Sequence, residues 1–288
     1  MKRVNFKTML LCARTDFFKW LFNARMITLA GLAVFIYTCA VEPLFANSEI
    51  MGKPLNVFEP YIAALNSGSL ILIIPLGFLA ISSDFPLVDR STMSGVIRTG
   101  RVNWFFGQLM DLFMMCAAYL LFIFAASVIP AVFGGVWDTE WSEVAVYFGM
   151  EFPEYAWNFG ALLLPKNLYN QLSLFDAAVQ STVFVFIYLV LLGMILLFFT
   201  TIGKKTAGVI VCGGVITAGS ALCSINSQIM WALPTANSIV WLHYTEFRRE
   251  PVYPVWCSYA YFGALLAVLT VISFITLKKM NFTEGRYD

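Results

Sequence analysis

The chain has 288 residues, of which 60% are hydrophobic and only 12% charged, with a mean hydropathy of +0.77. A soluble domain carries roughly 25% charged residues, so an ordinary water-soluble enzyme and a disordered chain are both excluded. The formal net charge of +1 gives no basis for a nucleic-acid partner, and none is expected.

Residues 1–25 interleave six cations, from Lys2 to Arg25, with Phe6, Met9, Leu10, Phe17, Phe18, Trp20, Leu21 and Phe22. The basic stretch is too long and too interrupted for a cleaved signal peptide, and it predicts an interfacial amphipathic helix on membrane lipid. A plain basic tail that only sets topology is the alternative. Six segments then reach the roughly 20 apolar residues that cross a bilayer: 26–45, 61–82, 104–130, 179–202, 206–226 and 255–277. Asn66-Ser67-Gly68 interrupts the second. The third contains Asp111, expected to be a shallow structural carboxylate at the inner boundary; the alternative is a functional charge within the bilayer.

Between the second and third segments, residues 83–103 form a polar connection. Met93, Val96 and Ile97 fall at i, i+3 and i+4, which predicts a short helix with one apolar face. Asp89 or Ser91 is placed to cap its start and Gly100 to end it, and Arg90, Arg98 and Arg101 flank the face. Such a helix is a docking knob for a soluble partner. Residues 131–178 form a long loop in which acids mix with Trp137, Trp141, Tyr147, Trp157 and Tyr169, residues suited to a headgroup belt.

In the fifth segment Gly213, Thr217 and Ala221 recur at four-residue spacing, as do Gly214 and Ala218. Small residues so spaced let helices approach closely in lipid, here either within the chain or across a dimer of two subunits. Ser220 lies in the same segment, but no span carries a histidine to activate it, and serine chemistry is not expected. The one histidine, His243, falls in a connection with no second ligand nearby. The six cysteines form no C-x-x-C pair, so neither a metal site nor a disulfide framework is expected. Gly203-Lys204-Lys205-Thr206 lacks the first glycine of a phosphate-binding loop, a phenylalanine of the Phe198-Phe199 pair standing in its place.

Sorted by side, fourteen of the eighteen cations fall with the termini, and eleven of the seventeen acids fall opposite. The positive-inside rule then sets both termini in the cytoplasm of a plasma-membrane protein, and an even number of spans agrees. The expected fold class is an all-α integral membrane protein. It forms one domain over residues 1–288, with six transmembrane helices, an N-terminal interfacial helix and a short cytoplasmic helix.

This plan resembles the membrane (permease) subunits of type-2 ABC exporters. Arg90-Ser91-Thr92 matches their Arg-Gly-Thr element, Thr99-Gly100-Arg101 stands where Pro-x-Ser-Arg ends, and Gly107-Gln108 stands where Gly-Lys does. The departures are Ser91 for glycine, no proline before Thr99, and Gln108 for lysine. The plan covers nearly the whole chain, the motif about 25 residues. The resemblance implies that Asp89, Arg90, Ser91, Thr92, Met93, Val96, Ile97, Arg98, Thr99 and Arg101 dock a separate ABC ATPase dimer that holds the ATP and Mg. It also implies a second permease subunit, identical or related, and re-entrant helices near 231–241, with Pro234 at a break; an interfacial loop anchored by Trp231 and Trp241 is the alternative. The chain itself would be no enzyme and hold no cofactor. Its cargo would be an amphipathic peptide, antibiotic or lipid-like molecule. A non-transporting sensor or immunity scaffold, binding a peptide at the outer loop, is the rival expectation.

Overall fold

The computed structural model describes residues 4–68, 70–88, 90–247 and 251–277, with the backbone alone for 90–94. Among these residues every regular element is helical, and Asn56 and Val136 make an isolated bridge. Asn5 caps α1 (Phe6–Leu21) by accepting from Lys7 N. A continuous apolar run, Ala24–Met51, holds α2 (Thr28–Ile36) and α3 (Glu42–Met51), joined by a π-helical turn at Tyr37–Val41. Gly52, at φ +67°, ends it in the left-handed conformation that glycine adopts without strain.

The second expected segment is two helices, α4 (Glu59–Asn66) and α5 (Leu70–Ser82), whose axes differ by 81°. Ser67 is extended, so the helix stops, and the Asn66 carbonyl it frees accepts from Trp241 Nε1 at 3.0 Å. Beside Pro75 of α5, the Tyr119 hydroxyl donates to Ile74 O at 2.6 Å. The amphipathic helix α6 (Arg90–Thr99) follows. Gly100, at φ +90°, separates it from α7 (Arg101–Val132), which at 1.5 Å per residue is about 48 Å long. That exceeds the roughly 30 Å hydrocarbon core, so part of α7 stands outside it.

The long loop contains α8 (Glu143–Glu151), capped by Ser142, and the short α9 (Lys166–Tyr169). Then come α10 (Leu174–Thr201), α11 (Lys205–Ser224), a compact run of short helices at Gln228–Ala232, α12 (Pro234–Ser238) and Val240–His243, and lastly α13 (Val255–Leu277). Among the described residues five elements are long and apolar enough to cross a membrane: the Ala24–Met51 run, α7, α10, α11 and α13. The protein is therefore an all-α, multi-pass membrane protein. Its core lies where α4, α5 and α7 meet α10, with Tyr61, Phe78, Leu112, Tyr119 and Leu192 buried together.

Charge is sorted to two ends of this bundle. At the basic end Asp84 binds both Arg25 Nη1 (2.8 Å) and Lys205 Nζ (3.1 Å), and Arg25 also donates to Ser83 Oγ. One carboxylate so ties the start of the first apolar run, the exit from α5 and the start of α11. At the acidic end Lys53 pairs with Glu143 and Lys166 with Glu246.

Candidate functional site

The basic end carries the expected docking helix, but its apolar face is divided. Val96 is 4% exposed and packs into the core, whereas Ile97 is 74% exposed. Successive residues point about 100° apart around a helix, so Val96 turns into the bundle while Ile97 turns outward. Arg98 is exposed, and Thr99 Oγ1 donates to Gly95 O. The helix ends at Thr99 before Gly100, as expected from sequence. Ser91 lies inside the helix, so it is not the cap. Asp89 and the side chains of Arg90, Ser91, Thr92 and Met93 lie outside the described residues. Arg101 is the first residue of α7 and Asn103 Nδ2 donates to Thr99 O, which braces the joint.

Beside this joint α1 packs along the first turns of α7. Gly107 makes the approach possible: a Cβ there would stand 2.9 Å from Cys12 Cβ. The packed side of α1 is Met9, Ala13, Asp16 and Trp20, while Phe6, Phe18 and Phe22 are exposed. The aromatic face expected to lie in lipid is thus split, with Trp20 turned to the protein. Asp16 Oδ2 accepts from Gln108 Nε2 at 2.7 Å, and Lys19 Nζ stands 3.9 Å from Asp16 Oδ1. Asp111, one turn further along α7, is buried in the same seam and its Oδ1 has no hydrogen-bond partner. No cation pairs with it among the described residues. The helix begins earlier than the sequence suggests, at Arg101, which sets Asp111 near its basic end.

The stripe Gly213, Gly214, Thr217, Ala218 and Ala221 faces away from the rest of the chain. A Cβ at Gly213 or Gly214 meets nothing within 4 Å, and Gly214, Thr217, Ala218 and Ala221 are exposed. The small residues that serve packing inside the chain are others: Gly208 against Phe199 and Gly219 against Thr235.

Sequence reasoning missed the polar core of the acidic end. Glu59, fully buried, accepts from Ser142 N (2.6 Å), Ser142 Oγ (2.8 Å) and Asn56 N (3.3 Å), while Asn56 Nδ2 donates to Asp138 O and Glu140 O. This clamp holds the long loop to α4. Asn66 Nδ2 donates to Ser181 Oγ, and its Oδ1 accepts from Val240 N. His243 is not in an open connection but buried at the end of a short helix. Its Nε2 lies 2.8 Å from Ser258 Oγ of α13, and its Nδ1 3.0 Å from Ile239 O. Ser258 Oγ donates to Asn237 Oδ1, and Phe184 stacks on the ring at 5.5 Å. The fold so brings a serine to the one histidine, which the sequence did not foresee. Both groups are fully buried and hydrogen-bonded within the chain, and the pair clasps α13 to the 228–243 run. Burial pushes the His243 imidazole below its ordinary range. The legible signals were Asn66-Ser67-Gly68, an interruption in an apolar run, and Glu59-Pro60, an acid and proline at a helix start.

No group of three or more metal-ligating side chains occurs among the described residues. A cavity of about 360 Å³ opens beside α8 and α9 at the acidic end, and a larger one lies between α7 and α10. No family model, curated protein or solved structure matches the chain.

Proposed function

We propose that the chain is the permease subunit of an ATP-driven exporter of the type-2 ABC kind, with six spans counting the bent α4–α5 pair as one. In this reading α1 and α6 lie in the cytoplasm and the 131–178 loop outside. It works as a pair of permease subunits facing each other across α11, with ATP and Mg on a separate ATPase dimer. The observation that carries the reading is α6: a ten-residue amphipathic helix at the basic end, joined through one glycine to a helix of 32 residues. Val96 fixes it to the bundle and Ile97 and Arg98 are left outward. Closure of the ATPases would push α6, and α7 would carry the displacement through the bundle as a rigid lever. The cargo would be an amphipathic peptide, antibiotic or lipid-like molecule.

Purification of the chain with the products of its adjacent reading frames tests this reading. An ABC ATPase is expected to co-purify, and Arg98→Glu with Arg101→Glu is expected to abolish ATP-driven flux in vesicles. Absence of any ATPase together with unaltered flux in the double variant overturns it.

The rival reading, a sensor or immunity scaffold, is favoured by the cavity of about 360 Å³ beside α8 and α9, lined by Trp157, Tyr169 and the Lys166–Glu246 pair. An apolar pocket with one ion pair suits a peptide side chain. Peptide binding without ATP-dependent flux in the same vesicles selects it.

A further inference from the structure

The larger cavity lies away from α6 and from the small-residue face. It is a cleft of about 780 Å³ between α7 and α10, floored by Phe58 and Tyr61 of the loop and α4. Its walls are apolar, from Leu121 and Phe124 on one side to Val179 and Val183 on the other. The polar atoms within it are already satisfied. Tyr61 OH pairs with Thr182 Oγ1 at 2.8 Å, and Thr182 Oγ1 in turn donates to Ala178 O. Leu121, Phe175, Val179 and Val183 are exposed, so the cleft opens sideways, on the flank of the bundle that faces lipid.

Protein interiors leave few voids larger than a water molecule, and an apolar void of this size does not hold ordered water. An occupant with an apolar body is required, and on this flank that is an alkyl chain. The end of the cleft is different: Asp138 and Thr139 stand at the mouth. Thr139 N donates to Asp138 Oδ1 at 2.6 Å, and no cationic side chain among the described residues pairs with the carboxylate. The mouth therefore complements a positive head. A second copy of the chain is a poor occupant, since the glycines that admit a neighbouring helix lie on α11.

We propose that the cleft binds one bilayer-borne amphiphile, its alkyl chain between α7 and α10 and its cationic head on Asp138. The site stands whether or not the chain transports what it binds. Deepened by the exporter reading, it is the point at which such a molecule is taken from, or returned to, the leaflet on the acidic side.

The test uses the full chain in phosphatidylcholine nanodiscs and two photoreactive probes of equal chain length, an alkyl trimethylammonium and an alkyl sulfate. Peptide mapping is expected to place the ammonium probe on residues 117–124 and 178–186, in about three- to fivefold preference over the sulfate, the factor of one exposed ion pair. Asp138→Asn is expected to make the two probes equal. Ala178→Phe, which fills the cleft, is expected to reduce labelling about tenfold; Val183→Trp, at the lipid-facing lip, does the same should the first variant fail to fold. Even labelling of all lipid-facing helices, a preference that survives Asp138→Asn, or cross-links between two copies through α7 and α10 overturns the proposal. Labelling as expected in a parent chain that shows no ATP-driven flux would strike the exporter reading alone.

Discussion

At the scale of single residues, the acidic end is held by side chains whose hydrogen bonds are complete. Glu59 accepts three hydrogen bonds in full burial, and removing it strands the Ser142 and Asn56 donors. Hydrogen bonds to charged groups are worth about 1.5–3 kcal/mol each, and a stranded buried donor costs more than the bond returned. Glu59→Ala is therefore expected to destabilise the protein by about 2–4 kcal/mol, and Glu59→Gln, which keeps one acceptor, by about half that. Denaturant titration in detergent micelles measures both. Equal stability of Glu59→Ala and the parent would show that the loop is held otherwise. His243 gives a pH dependence of known sign. Burial holds its folded-state pKa below the ordinary value of 6.5, so below that pH the unfolded chain binds more protons. Stability from this group is complete above about pH 6.5 and is lost as pH falls through the lowered folded value. Melting temperatures between about pH 7 and about pH 5 are expected to fall in the parent, and to lose that component in His243→Gln.

At the scale of elements, the same residue type does opposite work on two faces of α11. A Cβ at Gly219 would stand 2.0 Å from Thr235 Oγ1, so Gly219→Ala must displace α12 and break the Tyr188–Thr235 hydroxyl contact. A cost of about 1–3 kcal/mol is expected. Gly214→Ala meets nothing and gains helix propensity, so the isolated subunit is expected to be as stable or up to about 1 kcal/mol more so. Larger residues at 214 are expected to weaken subunit pairing, read as a shift toward monomer in light scattering. The four-residue spacing in the sequence marked a ridge but did not say which glycines face inward, because Gly208 and Gly219 share the helix with Gly213 and Gly214. Helix α6 repeats the lesson. Periodicity placed Val96 and Ile97 together, yet packing buries the first and exposes the second. Ile97→Asp is expected to leave folding stability within about 0.5 kcal/mol and to weaken ATPase association at least tenfold. Retained association in a pull-down would remove α6 as the docking element.

At the scale of the whole molecule, a net charge of +1 conceals a bundle with one basic and one acidic end. Composition and apolar run length determined the class of protein by themselves. Lipid leaves a backbone only a few ways to satisfy its hydrogen bonds, and runs of 20 apolar residues choose the helix. The interruption of the second segment was legible too, since Asn66-Ser67-Gly68 cannot continue an apolar helix in comfort. Only the tertiary structure decided what lies beside what. It set Trp241 on the freed Asn66 carbonyl, Ser258 on His243, Asp84 between Arg25 and Lys205, and Asp138 at the mouth of an apolar cleft. Those partners are separated along the chain by anything from 15 to 175 residues. Helical periodicity reports on neighbours three or four residues apart, and such distant pairings arise only when the helices pack.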